Sequence, residues 1–168
     1  MDIEKLKQIF GLKPLPKEGG FYAESYRSDE KLPGKCLPKR YRDVGDRCFG
    51  TAIYFLLTAD TFSALHRLMS DEIYHFYFGD PVEALILREN GSGELVTIGT
   101  DFDRGMRPQM VVPRGAWQGS RLKAGGKFAL LGTTVAPGFE FADCELANRE
   151  LLAENYPRFA EMIRELTR

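Results

Sequence analysis

The chain contains only two histidines, His66 and His75, and both fall within one ten-residue window with Glu72 between them. A neighbouring imidazole and carboxyl group can act as a general acid–base pair, and the same side chains commonly bind divalent metals. Two histidines cannot supply a three-histidine zinc site, so a metal would need Glu, Asp, Gln or Cys to complete its shell. The first hypotheses are therefore a proton-transfer site and a mixed-ligand metal site.

The residues after Glu72 alternate in a way that is typical of a β-strand. Successive side chains of a strand point to opposite faces, so Glu72 shares its face with Tyr74, Phe76 and Phe78, while His75 points the other way. A bulge at the start of the strand would reverse this assignment. His75 is therefore open between two interpretations: a packed or interface histidine, and a functional one.

Glu72 is expected to be catalytic together with His66. Aromatic surroundings disfavour the charged carboxylate and raise its pKa toward the range that is useful for proton transfer. The structural alternative is a hydrogen bond of Glu72, or an ion pair of Glu72 with Arg67 or Arg121. Other side chains are expected to contact a polar ligand beside this pair: Tyr54, Tyr74, Phe76, Gln109, Gln118 and, if it faces the cavity, His75.

Short segments rich in β-branched and aromatic residues recur from Phe49 to Val135, and turn signals separate them. Asn90-Gly91 between two apolar runs is a strong β-hairpin signal. Eight strands at this spacing indicate an all-β sandwich or barrel rather than alternating strands and helices. The predicted strands are 51–57, 61–68, 72–78, 82–88, 94–99, 108–112, 116–122 and 127–135.

Short helices are expected at both ends of the chain. Residues 2–10 have the spacing of an amphipathic helix, residues 19–28 that of a strand, and residues 29–48 the prolines and glycines of a loop. Residues 143–155 are expected to form a helix that the aspartate at its start caps. A second helix is predicted from Pro157, whose fixed φ suits a first helical turn.

Composition excludes several classes of protein. The 168 residues carry 23 Lys and Arg against 24 Asp and Glu, which gives no basic field for binding nucleic acids. The cysteines are three in number and include no CxxC pair, which favours reduced thiols. The N-terminal residues lack the apolar core of a signal peptide, and the apolar run 52–57 is too short to cross a bilayer. We expect a cytoplasmic protein without nucleic-acid or membrane partners.

The segment around the histidines resembles the first motif of the cupin superfamily. His66 takes the position of the family's first ligand histidine, Leu68 that of the second, Glu72 that of the ligand glutamate, and Gly79 that of the closing glycine. Members of this family commonly bind one metal inside a small jelly-roll barrel. The resemblance implies the same barrel here, with one ligand position occupied by leucine.

A second motif of the family is matched in part. Pro113 and Gly115 agree with it, but Gln118 stands where the ligand histidine belongs. One imidazole, one carboxylate and one amide make a weak shell for zinc, iron or manganese. The resemblance thus implies either no metal or a weakly held divalent metal, whose candidate ligands are His66, Glu72, His75 and Gln118.

The wider sequence resembles the cupin 5 branch, with its RmlC-like jelly roll, over about residues 5–157. This implies one cupin domain over the whole chain: a helix, strand and loop in 1–48, the jelly-roll core in 49–135, and helices in 136–168. It also implies a homodimer, in which the strand at 19–28 pairs with the partner subunit, and kinship in fold with sugar-nucleotide epimerases.

Three functions are consistent with these residues. The first is an isomerase or epimerase-like enzyme, in which Glu72 and His66 exchange a proton at a carbon next to a carbonyl group of a small polar or carbohydrate-derived molecule. The second is a non-catalytic module that binds a small molecule or a nucleotide sugar. The third is a metal-dependent cupin, for example a dioxygenase-like enzyme. All three require His66, Glu72 and Gln118 to share one hollow.

Overall fold

The computed structural model describes residues 2–168 and consists mainly of antiparallel strands. The helices are α1 (Ile3–Phe10), α2 (Arg149–Asn155) and α3 (Ala160–Glu165). The strands are β1 (Lys13–Pro14), β2 (Phe21–Arg27), β3 (Lys31–Leu32), β4 (Arg47–Cys48), β5 (Thr51–Thr58), β6 (Phe62–Arg67), β7 (Asp71–Gly79), β8 (Val82–Leu87), β9 (Gly93–Ile98), β10 (Gln109–Val112), β11 (Trp117–Leu122), β12 (Phe128–Ala136) and β13 (Glu145–Leu146).

The strands form the two sheets of a jelly roll. One sheet has the order β1-β2-β5-β12-β7-β10, and the other has the order β13-β6-β11-β8-β9. The eight strands predicted between residues 51 and 135 are all present, with ends that differ by at most one residue. The Asn90-Gly91 turn lies between β8 and β9, which pair antiparallel as the hairpin signal indicates. The all-β prediction is therefore confirmed.

The core lies between the two sheets, because alternate residues of each strand point inward. Phe55 and Leu57 of β5 pack there with Leu131 of β12 and, from the other sheet, with Ala84 and Ile86 of β8. All five are at most 3% exposed.

α1 covers the outer face of the six-stranded sheet. Asp2 caps the helix by accepting a hydrogen bond from the Glu4 amide. Leu6 then packs against Leu56 and Leu130, and Phe78 joins this cluster. The prediction that Phe78 points inward is wrong, because the β7–β12 register shifts between its partner Leu130 and the next residue. Such a bulge reverses strand parity beyond it.

The C-terminal helices begin later than predicted. Asn148, not Asp143, caps α2 by accepting a hydrogen bond from the Leu151 amide. Asp143 instead forms a buried ion pair with Arg47, whose Nε lies 2.8 Å from a carboxylate oxygen. A buried guanidinium requires a carboxylate partner, and this requirement holds Asp143 away from the helix. Pro157 starts a 3-10 turn that leads into α3.

The loop predicted at residues 29–48 has little regular structure, but it is held to the barrel. It contains two 3-10 turns and the short β3–β4 ladder. Cys36, Cys48 and Cys144 are free thiols. None of the helices within residues 2–168 has the length and apolar character that crossing a membrane requires.

Candidate functional site

His66 lies on β6 at the inner end of a cavity of about 210 Å³. The residue is 1% exposed. Its Nδ1 lies 2.8 Å from the carbonyl oxygen of Ala64. A carbonyl oxygen only accepts hydrogen bonds, so Nδ1 carries the proton, and Nε2 is the ring nitrogen that can receive another. The backbone thereby fixes both the tautomer and the orientation of the imidazole.

Glu72 lies near the start of β7, is 6% exposed and lines the same cavity. Burial raises the pKa of its carboxyl, and the nearby Glu18 raises it further. His66, Thr133 and Gln118 act in the opposite direction. Burial is the largest of these effects, so the carboxyl keeps its proton to a higher pH than an ordinary glutamic acid.

Of the two structural alternatives for Glu72, the ion pair with Arg67 or Arg121 is not formed, whereas a hydrogen bond is formed with Gln118 at 2.7 Å. Arg67 binds Glu145 at 2.8 Å. Arg121 binds Glu165 at 2.7 Å. Both arginines therefore form ion pairs with surface carboxylates, and Glu72, which lines the cavity, pairs with neither.

Gln118 stands behind Glu72 rather than in the cavity. It pairs with His66 across β11 and β6. Its amide nitrogen donates a hydrogen bond to Glu72 at 2.7 Å, while its buried Oε1 has no partner among residues 2–168. His66 and Glu72 thus share the cavity, but the expectation that Gln118 shares it and contacts a ligand is wrong: Gln118 instead positions the carboxyl of Glu72.

Glu18 also belongs to this site, although it was not among the residues predicted there. Its side chain lines the cavity, and Oε2 lies 3.4 Å from Nε2 of His66. A tight turn delivers it: Lys17, Gly19 and Gly20 all have positive φ angles, of 68°, 97° and 71°. The only sequence signal was an acidic residue followed by two glycines, which indicates a turn but not its neighbours.

Three predicted site residues lie on the outer face of the six-stranded sheet. His75 lies 3.1 Å from the Thr134 hydroxyl through Nε2 and 3.4 Å from the Gln109 amide through Nδ1. Tyr54 packs against Phe10 at a ring distance of 4.6 Å. The expectation that Tyr54 and Gln109 contact a ligand in the cavity is therefore wrong, and His75 is also excluded from it. Strand parity directs all three outward.

Tyr74 and Phe76 point inward as predicted, but they belong to the packed core rather than to the cavity wall. Tyr74 is 4% exposed, and burial raises the pKa of its phenol well above its usual value. These rings supply the apolar surroundings that were expected around Glu72. Neither ring lines the cavity, so neither is placed to contact a ligand there.

Arg27, at the exposed rim of the cavity, is paired with two carboxylates of the same rim. Arg27 binds Glu24 at 2.9 Å and Glu140 at 2.8 Å. The rings of Phe139 and Phe141 meet edge to face beside them, 5.2 Å apart. The rim is therefore close to neutral, with an aromatic wall on one side.

The side chains present do not fit a resident divalent metal. His75 faces away from the cavity, and Leu68, which is 5% exposed, lines it where a cupin has a ligand histidine. Gln118 presents its amide nitrogen, which cannot ligate a metal, to Glu72. Within residues 2–168, no three His, Cys, Asp or Glu side chains come together as a metal would require. The four-residue ligand set is thus not assembled.

Comparison with known proteins agrees with this fold. The family model Cupin_5, described as Cupin superfamily (DUF985), matches residues 4–147. The structure of protein SO0799 from Shewanella oneidensis is 33% identical, with a TM-score of 0.86, and the match covers 100% of this chain and 98% of that one. A hypothetical protein from Leishmania major is 31% identical, with a TM-score of 0.86 and 99% of each chain covered.

More distant matches extend the family likeness. An uncharacterised protein of Saccharomyces cerevisiae is 26% identical over 136 residues, which are 76% of this chain and 66% of that protein. The oxalate decarboxylase of Bacillus subtilis is 16% identical with a TM-score of 0.54, and the match covers 94% of this chain and 37% of that one. At that identity the likeness is one of fold alone.

Proposed function

The chain belongs to the Cupin_5 family of the cupin superfamily, and we propose that its barrel houses an isomerase or epimerase-like enzyme for a small polar or carbohydrate-derived molecule. One observation carries this proposal: His66 and Glu72, 1% and 6% exposed, both face the inner end of one cavity. A buried imidazole and carboxyl that line one cavity are typical of catalytic sites.

The proposed reaction moves protons and needs no oxidant or reductant. Nε2 of His66 removes a proton from the carbon next to a carbonyl group, and the electron pair of that C–H bond forms the double bond of an enol as the carbonyl oxygen takes the proton of Glu72. For an epimer, a solvent proton adds to the opposite face of the same carbon, the enol oxygen returns its proton to Glu72, and His66 releases its proton to solvent. For an isomer of a hydroxy-carbonyl compound, His66 gives its proton to the neighbouring carbon while the hydroxyl on that carbon becomes the new carbonyl and passes its proton to Glu72.

The surroundings of the pair support these roles. The Ala64 carbonyl holds Nδ1–H, so only Nε2 is available as the base. Burial raises the pKa of Glu72 and so favours the protonated form that an acid needs before it donates. The carboxylate of Glu18, 3.4 Å from Nε2, stabilises the imidazolium that forms.

The size of the cavity limits the substrate. A volume of about 210 Å³ lies below the roughly 300–1,000 Å³ typical of pockets for drug-sized ligands. The reacting part of the substrate is therefore small. A larger substituent, such as the nucleotide of a nucleotide sugar, would remain outside the rim.

Deuterium exchange tests the proposal across many candidate substrates at once. The protein is incubated in D2O with a panel of aldoses, ketoses, keto acids and nucleotide sugars, and mass spectrometry detects deuterium at the carbon next to each carbonyl group. We expect wild-type protein to label at least one compound and His66→Asn to label none. If no compound is labelled faster than in the His66→Asn control, the enzyme proposal is wrong.

Glu72→Gln separates catalysis from binding. The substitution preserves shape but removes the acid, so a ligand should still bind while exchange is lost. Mass spectrometry of denatured protein, applied to wild type and variant, identifies any molecule trapped during purification. A trapped ligand without exchange on that same ligand would instead support a non-catalytic binding module.

A metal-dependent reaction is the remaining alternative. Elemental analysis of freshly purified protein tests it, because the arrangement of Leu68, His75 and Gln118 leads us to expect far less than one Fe, Mn, Zn or Ni per chain. A stoichiometric metal that is lost in His66→Asn would overturn the proposed mechanism.

We also propose that the protein is a homodimer that forms along the edge of β2. β2 pairs with β5 of its own chain, and β1 covers only its first two residues, Phe21 and Tyr22. The rest of that edge has no strand beside it among residues 2–168. An open edge strand favours pairing with a second copy. The cytoplasmic location remains a prediction, which the free thiols support.

A further inference from the structure

We infer that Glu18 gives the inner end of the cavity a negative charge, and that the site therefore takes an uncharged, hydroxyl-bearing group of its ligand and rejects carboxylates. The inference deepens the proposed function, on which it rests for the identity of the reacting pair. It concerns which chemical class can reach His66, whatever reaction follows.

The position of Glu18 is built by the fold and is not that of a surface carboxylate. The residue is 8% exposed and lines the cavity. Its own carbonyl oxygen accepts a hydrogen bond of 2.7 Å from the Ala64 amide, which ties the turn to the strand that carries His66. Lys17, just before it, has the left-handed φ of 68° that side chains rarely adopt. Backbone strain of this kind is common at functional sites.

The next turn residue, Gly19, shows why the strain cannot be relieved by a different sequence. Its φ is 97°, and a Cβ added there would collide with the carbonyl oxygen of Phe62. The chain thus passes directly over β6 at this point. This close passage is what brings the side chain of Glu18 beside His66.

The titratable groups at the inner end of the cavity are Glu18, His66 and Glu72. The basic residues that line the cavity, Lys13 and Arg27, are both exposed, and Arg27 is held by two carboxylates. The carboxyl of Glu18 lies 3.4 Å from Nε2 of His66, whereas burial raises the pKa of Glu72 and favours its neutral form. Neither basic residue of the cavity lining is buried beside Glu18 to neutralise an incoming anion.

Cys144 is also in contact with Glu18. Its thiol donates a hydrogen bond of 3.4 Å to Oε1 of Glu18, and burial raises the pKa of the thiol, with a further contribution from Glu18. The thiol therefore stays neutral beside the carboxylate. The contact adds a donor to Glu18 without cancelling its charge.

These charges select the ligand group. A carboxylate would compete with Glu18 for His66 while lying close to a like charge in a site of low dielectric. An ammonium group would compete with His66 for Glu18. A hydroxyl group can donate to Glu18 and accept from the protonated Glu72, so it satisfies both without adding a charge.

Acetate is the probe for the experiment, because it is a small carboxylate that fits the cavity. The full-length protein is labelled with 15N, and the ring resonances of His66 are followed during acetate titration at neutral pH. We expect Glu18→Gln to bind acetate at least about tenfold more tightly than wild type, since one like charge is removed. Glu18→Asp keeps the charge and should resemble wild type.

Two controls accompany this titration. Glu154→Gln, an exposed residue on α2, makes the same change in net charge far from the cavity and should alter acetate binding less than twofold. A melting curve of each variant establishes that it is folded.

Each outcome decides the inference. Equal dissociation constants of wild type and Glu18→Gln for acetate overturn the inference. A lack of measurable acetate binding to both proteins also overturns it. The result is separate from the proposed function, because acetate binding involves no turnover. If wild type catalyses deuterium exchange but both proteins bind acetate equally, the enzyme proposal stands and only the role of Glu18 is wrong. If Glu18→Gln binds acetate tenfold more tightly but no deuterium exchange is detected, the role of Glu18 stands and the enzyme proposal is wrong.

Discussion

His66 and His75 are separated by nine positions in the sequence, yet they lie on opposite sides of a barrel wall. His66 is 1% exposed, with a backbone carbonyl on one ring nitrogen and a cavity beside the other. His75 is half-buried on the outer face, where the side chains of Thr134 and Gln109 contact its two nitrogens.

The difference shows that the capacity of a histidine for proton transfer depends on which groups contact its two ring nitrogens. Both nitrogens of His75 are occupied by neutral protein groups, which leaves no atom for a substrate. His66 has one nitrogen fixed by a backbone carbonyl, while the other faces the carboxyl of Glu18 in the cavity that Glu72 also lines. Only the second arrangement can transfer a proton.

The largest effect is expected when each of the two histidines is replaced in turn by asparagine. His66→Asn should reduce deuterium exchange by about 10²–10⁴-fold, the usual contribution of a general acid–base group. His75→Asn should change it less than about twofold, because the outer face does not meet the substrate. Exchange rates of both variants on the same compound provide the measurement, and an equal loss in both would remove the contrast between the faces.

A substitution on the β2 edge of the same sheet should weaken dimerisation without altering the cavity. Tyr26 lies on β2 and is 57% exposed. If a second copy pairs there, Tyr26→Asp should weaken dimerisation about tenfold, since it buries a charge next to its symmetry-related copy. Analytical ultracentrifugation measures the association. Phe102→Asp, at a residue that is 64% exposed, is the matched control, and a monomeric wild-type protein would contradict the proposal.

The inner face should also show a pH dependence of stability that the outer face lacks. Burial raises the folded-state pKa of Glu72 above its unfolded value, so the folded protein holds this proton more tightly than the unfolded chain does. The contribution of Glu72 to the free energy of unfolding is therefore greatest below the unfolded pKa and falls as pH rises toward the folded pKa.

Glu72→Gln cannot titrate and should lose this dependence. Its stability should increase relative to wild type as pH rises through that interval. Urea unfolding at several pH values gives the comparison, with Glu154→Gln as control. Parallel curves for wild type and Glu72→Gln would show that the carboxyl is not perturbed.

The smallest effects are expected from the outer-face residues that the sequence had assigned to the ligand. Tyr54→Phe and Gln109→Ala should each leave deuterium exchange within about twofold of wild type, because neither side chain reaches the cavity. Gln118→Leu is the informative counterpart, since it removes the hydrogen bond to Glu72 and should lower exchange more than either. Larger losses in Tyr54→Phe than in Gln118→Leu would contradict the assignment of faces.

Local sequence patterns determined most of the fold. Alternation of apolar residues and the turn residues between them predicted every strand from 51 to 135, and the Glu72, Tyr74 and Phe76 side chains face inward as that alternation requires. Parity failed at Phe78, where a bulge shifts the register. A bulge depends on the partner strand, so the sequence of one strand does not reveal it.

The sequence by itself also brought His66, Glu72 and Gln118 to one neighbourhood, because their spacing repeats that of a known family. Only the tertiary structure decided that Glu18 lies beside His66 and that Tyr54 faces outward. It also decided that Asp143 forms an ion pair with Arg47 instead of capping a helix. The physical reason is range: periodicity and turn chemistry act over a few residues, whereas contacts between a turn at residue 18 and a strand at residue 66 form only when the whole chain has folded.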